Sequence, residues 1–331
     1  MNGTSNGTNP LLSRVADSVY WMARYIERAE NVSRFIEVNL HLMLDSPASD
    51  VNQWRAIVDT TGDGAVFAER YGEANQENVV EFLTSDPKNL NSVFSCVRAA
   101  RENARSVRET ISSEMWEQVN ALYLLIQGSK GPLSTDVLPQ FFHNIRTACT
   151  QFQGVTDSTM THNEAFQFIG LGRTLERADK TTRLLDVKYF ILLPSISDVG
   201  TPYDDIQWAA VLKSVSGFEM YRQRHGRIFP PRLVEFLLLD NGFPRAVRYS
   251  IGRADRALHH ITGTSPDTFS CASEQRLGLL KSELDFARVD AILASGMHEF
   301  LDGLQGKMNK IDECIRCDFF GQWTGSDERS A

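Results

Sequence analysis

The chain contains 331 residues, of which 42% are hydrophobic and 23% charged, as is typical of a globular protein with one large domain or two smaller ones. The formal net charge of −8 argues against a general nucleic-acid-binding protein, because binding to phosphate backbones normally requires a basic surface. The five cysteines are an odd number and mostly far apart, which argues against a disulfide framework.

The start of the chain is polar and rich in Gly and Asn. We therefore expect residues 1–10 to form a disordered tail and not a signal peptide. No apolar run reaches the roughly 18 residues that a membrane span needs, so we expect no membrane partner and a cytoplasmic protein.

Long helices dominate the predicted structure. The first covers 12–44, which contain no Gly or Pro, and its apolar residues recur at steps of three and four, as at Val15, Val19 and Met22. The same spacing predicts a second long helix over 92–126. Further helices are predicted near 51–71, 77–84, 134–152, 171–193, 204–224, 230–239, 244–261, 272–293 and 296–317.

Part of the sequence is repeated. Residues 24–38 match residues 173–187 at six of 15 positions. Shorter matches follow in the same order, namely Gln53-Trp54 with Gln207-Trp208, 80–83 with 234–237, and Ser92-Val93 with Ala246-Val247.

The ordered matches indicate a tandem duplication. We infer two diverged repeats of about 150 residues, the first over 11–155 and the second over 160–318, followed by a C-terminal tail over 319–331. Since no alternating strand pattern is convincing, the expected fold class is all-α, a helical bundle built from these two repeats.

Charged residues recur at matched angles around the repeated helix. They are Arg24, Glu27, Arg28 and Arg34 in the first copy, and Arg173, Glu176, Arg177 and Arg183 in the second. Three interpretations are open. The charges pair where the two helices cross, the guanidinium groups hold a carboxylate or phosphate ligand, or the residues form a solvated face.

Four further arginines, at steps of three and four, share one face of the predicted helix over 92–126. If this helix packs beside the first, Arg101 and Arg105 enlarge the charge cluster. The alternative is a solvated face of Arg and Glu residues.

These residues resemble the alpha-E family, which is named for an α-helical domain with a repeated Glu-Arg motif. The resemblance rests on 23–31, 172–179, 100–105 and 111–117, and it extends over nearly all of the chain after residue 10. Members are bacterial and are often encoded with, or fused to, a circularly permuted ATP-grasp ligase, and sometimes accompany transglutaminase-like proteins. The resemblance thus implies these two partners and a role in peptide or amide synthesis, with no established active site.

Several kinds of site are absent from the sequence. It has no H-E-x-x-H zinc motif, no phosphate-binding P-loop and no nucleophile elbow, so we expect no metal and no cofactor. Gly170-Leu171-Gly172 lies within a helical pattern and has no preceding strand, which favours close helix packing over a dinucleotide-binding loop.

Three functions are therefore considered. The first is a helical partner of an ATP-grasp ligase, whose pocket holds an anionic intermediate such as an acyl phosphate or a peptide carboxylate. Arg24, Arg28, Arg173 and Arg177 would then bind the anion, with Glu27 and Glu176 orienting them. The second is a stand-alone enzyme that uses Glu27 or Glu176 as a general acid or base. The third is a structural adaptor.

Overall fold

The computed structural model describes residues 11–45, 51–128, 136–191 and 202–321. Every regular element in these ranges is helical, which confirms the predicted all-α fold. The predicted tail over 1–10 lies outside the described residues, as does the C-terminal tail from residue 322 onward.

Fifteen α-helices and one π-helical turn make up the described ranges. The first eight helices are α1 (Ser13–Asp45), α2 (Val51–Thr61), α3 (Gly64–Tyr71), α4 (Gln76–Thr84), α5 (Val93–Ser106), α6 (Ser113–Gly128), α7 (Leu138–Thr159) and α8 (Glu164–Ile191). The others are α9 (Pro202–Ser214), α10 (Phe218–His225), α11 (Pro230–Leu239), α12 (Val247–Thr262), α13 (Ala272–Phe286), α14 (Val289–Ser295), α15 (Met297–Ile315) and the π-helical turn (Arg316–Phe320).

The two longest helices, α1 and α8, pack against each other at the centre of the molecule. Helices α5 and α7 also pack on α1, while α12, α2 and α15 pack on α8. Because neighbours surround both helices, their charged arcs are buried together with their apolar faces. No helix within the described ranges is both long enough and apolar enough to cross a membrane.

Helices α1 and α8 approach closely at Gly172. A Cβ atom at this position would lie 2.5 Å from the backbone oxygen of Tyr20 and 3.2 Å from Cγ of Arg24. Only glycine fits this contact without a shift of backbone. The sequence expectation of close helix packing at this glycine is confirmed.

The predicted single helix over 92–126 is wrong, because the chain turns between α5 and α6. Val107 and Ile111 are buried within this turn, and the Ser112 hydroxyl accepts a hydrogen bond from the backbone N–H of Met115 at 3.1 Å. The turn lets α6 fold back and pack on α5. It contains no Gly or Pro, so the local sequence gives no sign of it.

Three other predicted helices are each divided in two. Gly62, with φ of +86°, separates α2 from α3, and Ser216, with φ of +52°, lies between α9 and α10. Extended backbone at Ala287 separates α13 from α14. Phe319 and Phe320, the first aromatic residues of the predicted C-terminal tail, pack against Phe168 with ring centroids 5.5 and 5.9 Å away.

Candidate anion site at the crossing of α1 and α8

Glu27 of α1 receives several hydrogen bonds across the helix crossing. Arg177 of α8 donates from Nε to Oε1 at 2.8 Å and from Nη2 to Oε2 at 2.7 Å. Arg245, in the turn before α12, donates from Nη1 to Oε1 at 3.2 Å. Asn31 and Gln153 each donate at 3.2 Å, so this carboxylate has no free face.

Glu30 extends the same cluster by one helical turn. Arg34 donates to its Oε1 at 2.5 Å, and Arg245 donates to the same oxygen. Gln153 donates to Oε2 at 3.0 Å. We call this cluster the Glu27 network; it comprises Glu27, Glu30, Asn31, Arg34, Gln153, Arg177 and Arg245.

The Glu27 network is closed to ligands. The cavity beside Glu27 and Arg173 measures only about 10 Å³, which is room for about one water molecule. Burial favours the neutral form of Glu27, but Arg177 and Arg245 outweigh it and lower the pKa of the carboxyl to about 2. Glu27 is therefore a charged acceptor that holds the helices together and is poorly suited to exchange a proton near neutral pH.

Glu176 of α8 receives the reciprocal contacts from α1. Arg28 donates from Nε to Oε1 at 2.7 Å and from Nη2 to Oε2 at 3.1 Å. Arg24 donates from Nε to Oε2 at 2.9 Å and from Nη1 to Asp312 of α15 at 2.5 Å. Tyr20 donates its hydroxyl to the same Asp312 oxygen at 2.5 Å. We call these five residues the Glu176 network.

The Glu176 carboxyl is fully buried but remains charged. Burial raises its pKa, and the opposing effect of Arg28, Arg24 and Lys180 is larger, so that the pKa lies well below its usual range. Burial likewise lowers the pKa of the Lys180 amine, and Asp179 and Glu176 offset only part of this effect. The two neighbouring carboxylates therefore stabilise the charge of Lys180 only in part.

Unlike the Glu27 network, the Glu176 network borders an open cavity of about 380 Å³. This volume lies within the roughly 300–1,000 Å³ of small-molecule sites. Five of the fourteen residues that line it are basic and three are acidic, and we call it the cationic cavity. The basic side chains that line it are Arg24, Arg28, Lys180, Arg183 and Arg316.

The lining also contains three carboxylates and three large apolar side chains. The carboxylates are Asp179, Asp312 and Glu313, and the apolar side chains are Trp21, Leu175 and Met308. Arg183 donates from Nε to both Asp179 oxygens, at 3.0 and 2.9 Å. The lining thus combines basic, acidic and apolar side chains, and the Arg24 guanidinium lies 4.8 Å from the ring centroid of Trp21.

The structure brings together eight of the ten candidate residues predicted from the sequence. Arg34 and Arg177 lie in the Glu27 network with Glu27, and Arg173 lines the small cavity beside it, 4.0 Å from Asp157. The other four surround the cationic cavity, either in its lining or directly behind it: Arg24, Arg28, Glu176 and Arg183.

Arg101 and Arg105 pair elsewhere. Arg101 donates from Nε to Asn120 of α6 at 2.8 Å, and its guanidinium lies 4.7 Å from the ring centroid of Tyr123. Arg105 is exposed and lies 3.1 Å from Glu102. The expectation that these two arginines would enlarge the cluster is wrong, because the face of α5 that carries them points toward α6 and solvent.

Arg245, Lys180 and Asp312 are among the charged residues of this region that the predicted site did not include. Arg245 directly precedes Ala246-Val247, which align with Ser92-Val93, so the repeat comparison places it opposite Asn91. Lys180 stands opposite Asn31 in the same comparison. Asp312 lies on α15, far outside the repeated helix, and nothing local to it indicates its contact with Arg24.

No group of three or more His, Cys, Asp or Glu side chains with the arrangement of a metal site occurs in the ranges that the structure describes. Amines and guanidinium groups, which outnumber the carboxylates in the lining of the cationic cavity, bind anions and not metal ions.

Comparison with known proteins places these features in a family. The chain is 23% identical over 328 residues to uncharacterised proteins of Mycobacterium bovis (Mb2597) and Mycobacterium tuberculosis (Rv2567). The match covers 91% of this chain but 36% of each relative, so the chain spans about a third of their length. No solved structure matches.

A family model, described as a predicted alpha-helical domain with a conserved ER motif, matches residues 11–320. The two Glu-Arg dipeptides at the crossing, Glu27-Arg28 and Glu176-Arg177, supply the reciprocal pairs described above. The chain therefore belongs to the Alpha-E family.

Proposed function

We propose that this chain is a helical partner of an ATP-grasp ligase in peptide or amide-bond formation, and that its cationic cavity receives an anionic intermediate. The observation that carries the proposal is the difference between the two networks at the helix crossing. The Glu27 network is closed, whereas the Glu176 network borders a cavity of about 380 Å³. If both networks served only to hold the helices together, neither would need to border a cavity.

Two further observations support a partner role. The matching segment makes up 36% of each mycobacterial relative, so in those proteins it is joined to other sequence. The resemblance described above associates such segments with ATP-grasp ligases and with transglutaminase-like proteins.

The proposed residue roles differ between the two networks. Arg28 and Arg24 hold the wall of the cationic cavity in place through Glu176, and Arg183 faces the ligand. Arg177 and Arg173 lie at the closed side, where we assign them to holding the crossing together.

We also propose that the chain arose by tandem duplication, with repeats over 11–155 and 160–318. The packing supports this proposal, because α1 contacts α5 and α7 while α8 contacts α12 and α15. The charge contacts support it as well. Arg24 lies 2.5 Å from Asp312, and Arg173, its counterpart in the repeat comparison, lies 4.0 Å from Asp157.

The Glu27 network favours the adaptor as a second candidate function, since its charges hold two distant helices together without leaving space for a ligand. The contacts argue against Glu27 or Glu176 as a general acid or base. Both carboxylates are saturated by arginine, and both have a pKa far below neutrality.

The proposal is tested by adding the purified chain to a circularly permuted ATP-grasp ligase of the same organism and measuring ATP-dependent amide product by mass spectrometry. We expect co-purification of the two proteins and a several-fold increase in product. Arg183→Gln should remove the increase, whereas Arg105→Gln, an exposed arginine outside the cavity, should retain it. Absence of both association and any effect on the product would contradict the proposal.

A further inference from the structure

Lys180 has hydrogen-bonding capacity that the protein does not use. Its side chain is 5% exposed, and its nearest carboxylate oxygens, on Asp179 and Glu176, lie 3.5 and 3.8 Å from Nζ. These distances exceed the 2.7–3.2 Å or so of an N–H···O hydrogen bond. Among the described residues no acceptor forms a hydrogen bond with this amine, which lines the cationic cavity.

An ammonium group that is buried without hydrogen bonds is unfavourable unless a ligand or water accepts its protons. Burial lowers the pKa of Lys180, and Asp179 and Glu176 offset only part of this effect. An anion in the cavity would supply the missing acceptors. Lys180 therefore differs from Arg28, whose Nε, Nη1 and Nη2 already donate to Glu176 and Asn91.

Arg183 also retains free donors toward the cavity. Its Nε donates to Asp179, so the Nη1 and Nη2 groups remain for a ligand. The side chain is 24% exposed and reaches the cavity from the same face of α8 as Lys180. Two cations with unused donors thus lie three residues apart, about one turn, on the same face of α8.

The charge of the lining indicates the charge of its ligand. Five basic side chains and three carboxylates line the cavity, and Glu176 lies directly behind them, which leaves a formal excess of one positive charge and indicates an anionic ligand. A phosphoryl group has three acceptor oxygens, one more than a carboxylate, so it can accept hydrogen bonds from Lys180 and Arg183 together.

The apolar side chains of the lining indicate a second property of the ligand. Trp21, Leu175 and Met308 lie in the same lining as the basic side chains, so the ligand carries an apolar portion next to its anionic group. Free inorganic phosphate would fill only the polar part of a cavity of this size.

We propose that the cationic cavity is a binding site for the phosphoryl group of an amphipathic phosphorylated compound, with Lys180 and Arg183 as its principal donors. This inference deepens the proposed function. It rests on that function only where it identifies the natural ligand as an acyl phosphate. The binding chemistry itself follows from the lining residues.

Isothermal titration calorimetry of the full chain tests the site with three probes: inorganic phosphate, phenyl phosphate and benzoate. We expect phenyl phosphate to bind, inorganic phosphate to bind at least tenfold more weakly, and benzoate to bind more weakly than phenyl phosphate. Lys180→Met and Arg183→Gln should each weaken phenyl phosphate binding at least tenfold. Arg105→Gln, the control outside the cavity, should leave it unchanged.

If Lys180→Met does not fold, Arg316→Gln tests the same site. Arg316 lines the cavity, and because its side chain is 41% exposed, its replacement should not prevent folding. It should weaken binding several-fold in a folded protein. The proposal is overturned if phenyl phosphate does not bind the wild-type chain, if benzoate binds as tightly, or if all folded cavity variants bind like the wild type. Equal binding of inorganic and phenyl phosphate would overturn the apolar part of the site.

These outcomes are separate from those that test the proposed function. Phosphate binding without any effect on a ligase would refute the partner role and leave the site intact. A ligase effect that survives Lys180→Met, with no phosphate binding, would refute the site and leave the partner role intact.

Discussion

The Arg177 guanidinium and the Glu27 carboxylate form a two-pronged pair between α8 and α1, at 2.8 and 2.7 Å. Arg28 and Glu176 form the same pair in the opposite direction, at 2.7 and 3.1 Å. Each arginine directly follows the glutamate of its own helix, so one Glu-Arg dipeptide per helix provides an acceptor and a donor for the other. The ER motif of this family therefore has a geometric meaning in this chain.

Glu27→Gln should strongly destabilise the protein. The substitution leaves Arg177 and Arg245 buried without their counter-charge, and loss of one partner of a buried pair costs about 3–5 kcal/mol. Urea denaturation measures the loss. Glu102→Gln is the control, because Glu102 is 47% exposed and such pairs contribute at most about 1 kcal/mol. A loss for Glu27→Gln as small as that of the control would contradict the architectural role.

Acid should destabilise the chain through the same carboxylate. The pKa of Glu27 is lowered from 4.5 to about 2, so its contribution is complete above pH 4.5 and is lost as the pH falls toward 2. A shift of this size corresponds to a contribution on the order of 3 kcal/mol. Glu176 is shifted in the same direction.

The measurement is the unfolding free energy at several values between pH 2 and pH 6. The wild-type curve should fall steeply below pH 4.5, whereas Glu27→Gln should show a shallower fall in the same range. Parallel curves for the two proteins would show that Glu27 does not carry this pH dependence.

Two neighbouring glycines of α8 should respond in opposite ways to alanine. Gly172→Ala places a methyl group 2.5 Å from the backbone oxygen of Tyr20, and overpacking of this kind costs about 1–3 kcal/mol. A Cβ at Gly170 meets nothing within 4 Å, so Gly170→Ala should stabilise the helix by up to about 1 kcal/mol. Thermal unfolding of both variants checks this prediction, and the same sign for both would contradict the close crossing.

The cysteines should divide into reactive and unreactive thiols in the native protein. Cys96 and Cys149 are buried; burial raises the pKa of Cys96 to about 12 and that of Cys149 well above its usual value. Since the thiolate is the reactive species, both should resist alkylation at pH 8. Cys317 is exposed and should react within minutes. Peptide mass spectrometry with and without denaturant tests this, and fast native labelling of Cys96 would contradict its burial.

Much of the fold could be predicted because the helices carry a local signal. The periodicity predicted a helix over 12–44, and α1 runs from Ser13 to Asp45; the helix predicted over 230–239 has the same bounds in the structure. The turn between α5 and α6 could not be predicted in this way. It depends on the burial of Val107 and Ile111 against the rest of the molecule, which is a tertiary effect.

The candidate site could be predicted only in part. Matched angles indicated that Glu27 and Glu176 would each have arginine neighbours, and both do. Arg245 and Asp312 reach the crossing from segments outside α1 and α8, so the pattern of those two helices could not reveal them. The difference between the closed and the open network depends on such distant residues.

The long sequence separations at the crossing also constrain the order in which the chain folds. Glu27 lies 150 residues before Arg177 and 218 residues before Arg245. During synthesis Glu27 therefore emerges before both of its arginine partners have been made, whereas Glu30 has Arg34 on the same helix. Local helices form early, whereas contacts between distant residues require closure of a long loop. The Glu27 network thus requires synthesis past residue 245, and the Glu176 network requires synthesis past Asp312.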